Sequence, residues 1–250
     1  MNLEIKNRRV WILGAGRGLG RAIAKTLAPE VSHITLIART ESELKITADA
    51  CQELGASCAF HVLDLSQSSD LQRACQLIAS DAPDIVVHNI GGSLEQRSSL
   101  FTIEEFQSVF WLNFSVAAEI NRHIIPQMRS RKFGRVVHIS SCAAKNARGA
   151  LPYKVSKAAL NAYVEGLGHE TIKDGVVVSS IMPGPIMVEG NSWSRRRQAD
   201  PKQVENFIAS STAIGRFNDA NEIASFTAFL CSNQCRLSAG ASYLFDGGVF

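Results

Sequence analysis

Tyr153 and Lys157 stand four positions apart in the stretch PYKVSKAAL, 152–160. Four residues make about one helical turn, so the phenol and the ammonium would share one helix face. Pro152 just before them suits a helix entry. A phenol ordinarily titrates at about pH 10, and a neighbouring ammonium favours the phenolate and lowers that value. Such a pair can exchange a proton with a substrate oxygen at neutral pH. The same spacing also arises on helices that do no chemistry, so its meaning rests on the rest of the chain.

A second candidate is the glycine run GAGRGLG, 14–20. Position 19 is leucine, so G-x-G-x-x-G fails, and G-x-x-x-G-x-G fits through Gly14, Gly18 and Gly20. Glycines let a backbone turn tightly and approach a pyrophosphate, whose charge a helix N-terminus stabilises. A tight strand-to-helix turn without a ligand uses the same residues. The second strand pattern ends in Ala38, Arg39 and Thr40, where a cofactor with a free ribose 2′-hydroxyl usually meets an acidic residue. Arg39, with Arg17 in the glycine run, suits a 2′-phosphate through charge-assisted hydrogen bonds. Either arginine can also be a solvated surface charge. Asp64 and Leu65, closing the third strand pattern, are placed to meet an adenine; the bland role of Asp64 is to cap the next helix. Together these residues point to NADP(H), with NAD(H) as the lesser choice.

The elements that must position these groups alternate along the chain. Apolar, β-branched runs at 9–13, 34–38, 57–64, 85–88, 135–140, 176–182 and 242–245 predict strands. Helical patterns at 18–27, 41–54, 68–79, 102–128 and 152–173 lie between them. The alternation predicts an α/β fold, a Rossmann-like doubly wound parallel sheet of seven strands with helices on both faces. Continuous apolar strands such as DIVVH fit coverage on both sides. The 250 residues show no repeat, low-complexity tract or dividing linker, so residues 1–250 read as one domain.

Composition removes other classes. The chain is 46% hydrophobic and 20% charged, ordinary for a soluble globular protein. A net charge of +3 from 26 basic and 23 acidic residues gives no argument for nucleic acid or a membrane surface. The N-terminal stretch has no secretory pattern, and no segment is long enough to cross a bilayer. The six cysteines form no disulfide framework and no metal-ligand pattern with nearby histidines, so buried thiols and a reduced, cytoplasmic setting are expected.

With the glycine spacing, YKVSK and the strand order in place, the chain resembles the short-chain dehydrogenase/reductase family. Within it the nearest likeness is the single-domain branch that includes 3-oxoacyl carrier-protein reductases. The resemblance runs from Val10 to the closing FDGGVF. It implies that Tyr153 donates the proton to the substrate oxygen, and that Lys157 assists it and holds the nicotinamide ribose. It also implies that a serine after the fifth strand, in VVHISSCAA, steadies the carbonyl oxygen. That serine is read as Ser141; the family's more usual spacing is one residue longer and selects Ser140. Asn113, in WLNFSVAAEI, matches the helix asparagine that supports a proton-relaying water, and core hydrogen bonding is its plainer role.

In HNIGG, 88–92, Asn89 and Gly91 match the family's Asn-Asn-Ala-Gly on the cofactor wall, while His88 and Ile90 depart from it. His88 reads as a packed histidine rather than a catalytic one. Pro183, Gly184 and Ile186 match the turn against the nicotinamide, and Leu19 stands within the phosphate loop. Leu13 and Val188 replace threonines, which removes polar contacts to the cofactor.

Residues 186–212, chiefly 189–211, are expected to form a substrate lid. They include Arg195, Arg196 and Arg197 beside Trp193. The arginines are either a solvated face or an attraction for an anionic substrate. By resemblance the protein is a homodimer or homotetramer joined through the helices at 102–128 and 152–173. The expected activity interconverts a small-molecule carbonyl and a secondary alcohol, with a 3-oxoacyl thioester or a sugar or secondary-metabolite ketone as substrate. A different class of answer is a cofactor-binding regulator without turnover, suggested by Leu13, His88 and Val188. Retention of Tyr153, Lys157, Ser141 and Asn113 together argues against it.

Overall fold

The computed structural model describes residues 2–96, 98–146 and 149–249, so the two ends of the expected 1–250 span lie outside the described residues. Seven strands form one parallel sheet: β1 (Arg9–Leu13), β2 (His33–Ala38), β3 (Ser57–Val62), β4 (Ile85–His88), β5 (Gly134–Ile139), β6 (Val176–Pro183) and β7 (Ser242–Phe245). Their order is β3-β2-β1-β4-β5-β6-β7. The winding reverses between β1 and β4, and that reversal opens a crevice beyond the strands' C-terminal ends.

Successive residues of a strand point to opposite faces. In β1, Val10 and Ile12 join a core with residues of α1 (Gly18–Leu27), α2 (Glu41–Glu53) and α9 (Ala220–Cys231). Trp11 and Leu13 join a second core on the other face, with residues of α3 (Ser68–Asp81), α5 (Val116–Ser130) and α6 (Leu151–Thr171). Both faces are therefore covered, which is why the strands read as unbroken apolar runs.

Several expected boundaries move, three of them with a local reason or consequence. The third strand stops at Val62 instead of reaching Asp64, because Leu63 makes the last backbone bond to Ala38 and Asp64 turns back onto Ser66. The fifth strand lies one residue earlier than expected. The continuous helix expected over 102–128 is α4 (Ile103–Phe110), a π-helical turn (Trp111–Ser115) and α5. Thr102 starts this run with a capping box, its side chain accepting from Glu105 N while Glu105 accepts from Thr102 N. The segment expected to form a lid folds as α7 (Ser192–Ala199) and α8 (Pro201–Ser211), capped by Asn191 and Asp200.

Candidate active site

The crevice holds a cavity of about 740 Å³. β1 delivers the glycine loop to one end of it. Gly14 and Gly18 take φ of +84° and +56°, which L side chains rarely adopt. A Cβ on Gly20 would lie 2.0 Å from Gly14 O, so the loop's own packing requires that glycine. Gly18 and Leu19 reach the cavity wall, and Val188 packs directly over Gly18. Helix α1 begins here with no side-chain cap on its first amides and no acidic residue in its first turn. Uncapped amides at a glycine cradle fit a phosphate.

Asn89 fastens the loop from β4: its Nδ2 donates to Gly14 O at 2.9 Å and its backbone N to Leu13 O at 3.0 Å. Pro183, Gly184 and Ile186 form the opposite wall. Arg17 also faces the cavity, but its guanidinium is turned to Glu43 (3.5 Å) and Gly190 O (3.4 Å). Arg39 is exposed at the end of β2, without a hydrogen bond or ion pair among the described residues, and Thr40 precedes α2. Asp64 accepts from Ser66 N and Oγ, so it caps a turn rather than α3, while Leu65 is buried in the second core. Neither Asp64, Leu65, Arg39 nor Thr40 lines the cavity; they follow the C-terminal ends of β2 and β3.

At the other end, Ser141, Tyr153 and Lys157 meet. Ser141 follows β5 in extended conformation, its hydroxyl turned toward Tyr153 and accepting from Ala143 N at 3.1 Å. Ser140 is buried, its hydroxyl donating toward Lys157 O at 3.4 Å. Of the two serines, it is Ser141 whose hydroxyl the structure brings to the phenol. Lys157 Nζ lies 5.7 Å from the centre of the Tyr153 ring and donates to Ile139 O at 2.9 Å.

Sequence reasoning expected the lysine to lower the tyrosine; the structure gives the opposite direction. Burial pushes the Tyr153 hydroxyl up to about 12, outweighing the pull of the Ser141 hydrogen bond. Burial likewise pushes the Lys157 ammonium down to about 7. Desolvation penalises both charged forms, and no pull of the lysine on the phenol offsets it.

Asn113 lies behind the cavity wall, in the π-helical turn, where the wider winding turns it toward the loop after β4. It is buried and pinned: Nδ2 donates to Gly92 O and Val109 O, both at 2.8 Å, and Oδ1 accepts from Gly92 N at 3.0 Å. A Cβ on Gly91 would lie 2.6 Å from Asn113 Oδ1 and 3.0 Å from Lys157 Nζ. A side chain at Gly91 would thus crowd both the amide and the ammonium.

His88 is the packed histidine expected. Its ring stacks on His138 at 4.4 Å, and Asn121 lies between their Nε2 atoms, 2.9 Å from one and 3.2 Å from the other. Asn121 also donates to the Tyr163 hydroxyl at 3.3 Å. Burial pushes His88 down to about 4 and His138 well below its ordinary value. The lone histidine of the sequence reading is therefore one member of a neutral buried network assembled from β4, β5, α5 and α6. Trp193 and Arg196 of α7, Phe207 of α8 and Asn146 complete the mouth of the cavity.

A helix-lined crevice at the sheet's switch point, with a phenol, a hydroxyl and a buried ammonium at its end, defines the α/β oxidoreductases acting on alcohol and carbonyl groups. A family model described as enoyl-(acyl carrier protein) reductase matches residues 14–250, and the chain belongs to the short-chain dehydrogenase/reductase family. It is 30% identical over 218 residues to ketoacyl reductase HetN of Nostoc, covering 83% of this chain and 76% of that protein. It is 26% identical over 253 residues to the 3-oxoacyl-(acyl-carrier-protein) reductase FabG of Escherichia coli, covering 100% of this chain and 99% of that one. The solved L-sorbose reductase of Gluconobacter frateurii, complexed with NADPH and L-sorbose, matches with a TM-score of 0.90 and 28% identity over 100% of this chain and 98% of that one.

Proposed function

We propose that this protein is an NADP(H)-dependent reductase of carbonyl compounds, in which Tyr153 gives a proton to the substrate oxygen. Ser141 steadies that oxygen, and Lys157 with Asn113 resupplies the proton. The observation that carries this reading is the convergence of the Ser141 and Tyr153 side chains on one end of the cavity, with Lys157 buried behind them. The nicotinamide supplies the hydride that the carbonyl carbon accepts.

Everything else falls to the chain. A phenol held up to about 12 is protonated at neutral pH, so it stands ready as an acid. When its proton leaves, the new negative charge lies beside Lys157 and favours the ammonium, so the pair's energies become mutually supporting. Ser141 offers its hydroxyl to the oxygen as charge gathers there. Asn113 Oδ1 and Lys157 Nζ both flank the bare Gly91, and a water shared between them would complete the relay.

The residues fit a phosphorylated dinucleotide. The uncapped start of α1 suits its pyrophosphate, and the exposed Arg39 suits a 2′-phosphate where an acidic residue would repel one. For the substrate, the three arginines divide. Arg195 is paired with Glu95 at 3.3 Å, while Arg196 lies 4.8 Å over Trp193 and faces the cavity. A cation and aromatic rings at the mouth favour an anionic acyl thioester, as the ketoacyl reductases reduce. The likeness to L-sorbose reductase supports a keto-sugar as the second reading. Assembly as a homodimer or homotetramer belongs to the same proposal.

NADPH oxidation against a 3-oxoacyl thioester, keto-sugars and simple ketones tests it, with NADH in parallel. Turnover should prefer NADPH, and Tyr153→Phe should lower kcat by a factor of about 10² to 10⁴. Unchanged turnover in Tyr153→Phe removes the tyrosine from the mechanism.

A further inference from the structure

Away from the cavity, α3 and α5 bring three different ligand types to one point. Glu119 and His123 stand one turn apart on α5, and the buried Cys75 faces them from α3. The Cys75 Sγ, a Glu119 carboxylate oxygen and a His123 ring nitrogen all lie within 4.8 Å of one another. None of the three lines the active-site cavity.

The geometry between two of them is informative. His123 Nε2 lies 3.2 Å from Glu119 Oε1. Arg122 Nη2 touches both, at 2.6 Å from Oε1 and 2.9 Å from Nε2. A guanidinium nitrogen can only donate, so the unprotonated Nε2 turns its lone pair toward the same cation as the carboxylate, whereas a protonated Nε2 donates to Oε1 instead. With Nε2 unprotonated, two acceptors held this close need a positive charge between them. Their separation also matches a metal's demand, since ligands at 2.0–2.1 Å in a tetrahedral site stand about 3.3 Å apart. Arg122 is largely exposed at 66%, so its side chain can leave without disturbing the core.

We propose that Cys75, Glu119 and His123 form a binding site for a divalent transition-metal ion of the zinc class, with the Arg122 guanidinium as its displaceable occupant. Thiolate, imidazole and carboxylate together suit zinc or cobalt over magnesium or calcium. The metal forms one bond to each protein ligand, the Cys75 thiol releases its proton to solvent, and water fills the fourth position. The site draws on no residue of the proposed mechanism.

Co²⁺ titrated into the full-length, chelator-stripped protein is the direct test. The expected result is one Co²⁺ per chain with a thiolate-to-cobalt charge-transfer band and tetrahedral d–d absorption, both displaced by Zn²⁺. Cys75→Ser should abolish the charge-transfer band and His123→Ala should weaken binding. Cys58→Ser and Cys142→Ser should change neither. Arg122→Gln should tighten Co²⁺ roughly threefold, the worth of one exposed ion pair removed from competition. No thiolate band, a band that survives Cys75→Ser, or an affinity unmoved by His123→Ala overturns the proposal.

Discussion

Ser140 and Ser141 are adjacent, yet one hydroxyl faces helix α6 and the other the phenol of Tyr153. Ser141→Ala should therefore lower kcat about a hundredfold, as removal of an oxyanion partner does. Ser140→Ala should leave kcat near wild type and cost about 1 kcal/mol of stability for its buried hydrogen bond. Steady-state kinetics and urea unfolding on both variants decide; the reverse order of kcat losses would move the role to Ser140. The sequence could name the pair but not choose within it, because the choice depends on where β5 ends. Lys157 makes a different prediction. Unfolded, it holds its proton to about pH 10.4; folded, burial brings release down to about 7. Between those values the unfolded chain binds more protons, so this group makes stability rise with pH and is a full penalty below the window. Lys157→Met should abolish turnover and remove that rise. The difference between wild-type and variant unfolding free energies over pH 7–10 measures it, and parallel curves would show that the lysine is not desolvated. Burial was invisible to a reading of Tyr153 and Lys157 as neighbours on a helix, which is why the direction of the tyrosine's shift was missed.

At the scale of elements, the glycine loop was legible because its demands are local. Spacing alone identified Gly14, Gly18 and Gly20, and the contacts explain each. Gly20→Ala would drive a Cβ to 2.0 Å from backbone oxygen, which no rotamer relieves. We expect a loss of about 3 kcal/mol or more in urea unfolding together with lost NADPH binding. Gly92→Ala, whose Cβ meets nothing within 4 Å, is the control and should cost under about 1 kcal/mol. Equal stability for both variants would mean that the loop does not pack as described. The π-helical turn at Trp111–Ser115 left no comparable mark. Its apolar pattern continues that of α4 and α5, and a wider turn inserted in a helix changes hydrogen bonding rather than composition. The network of His88, Asn121, His138 and Tyr163 was hidden for a related reason. Its members come from four elements, and only the parallel register of β4 on β5 sets His88 against His138.

At the scale of the molecule, the unbroken apolar strands announced a sheet covered on both faces, but they say nothing about what covers the helices. The outer helices supply that information themselves. Phe106, Phe110 and Phe114 form a ladder along α4 and the π-helical turn, with ring centres 5.5 and 4.8 Å apart, and all three remain partly exposed. Ile103 is 71% exposed beside them, and Leu151 and Val155 at 39% and 42% extend the apolar surface onto α6, which packs against α4. Exposed apolar residues gathered on two packed helices mark an interaction site more often than a solvated one. It spans the two helical regions through which the resemblance predicts self-association, and a two-fold axis would lay the ladder against its own copy. Sedimentation velocity should accordingly find a dimer or tetramer, and Phe110→Glu should convert it to smaller species by burying a carboxylate without a partner. Leu237→Glu, at a 99% exposed site apart from this surface, should leave the assembly intact. A wild-type monomer would end the argument. An oligomer that survives Phe110→Glu would instead place the contact on the β7 edge, where Leu244 and Phe245 are 52% and 37% exposed and the strand's outer side pairs with no other strand among the described residues.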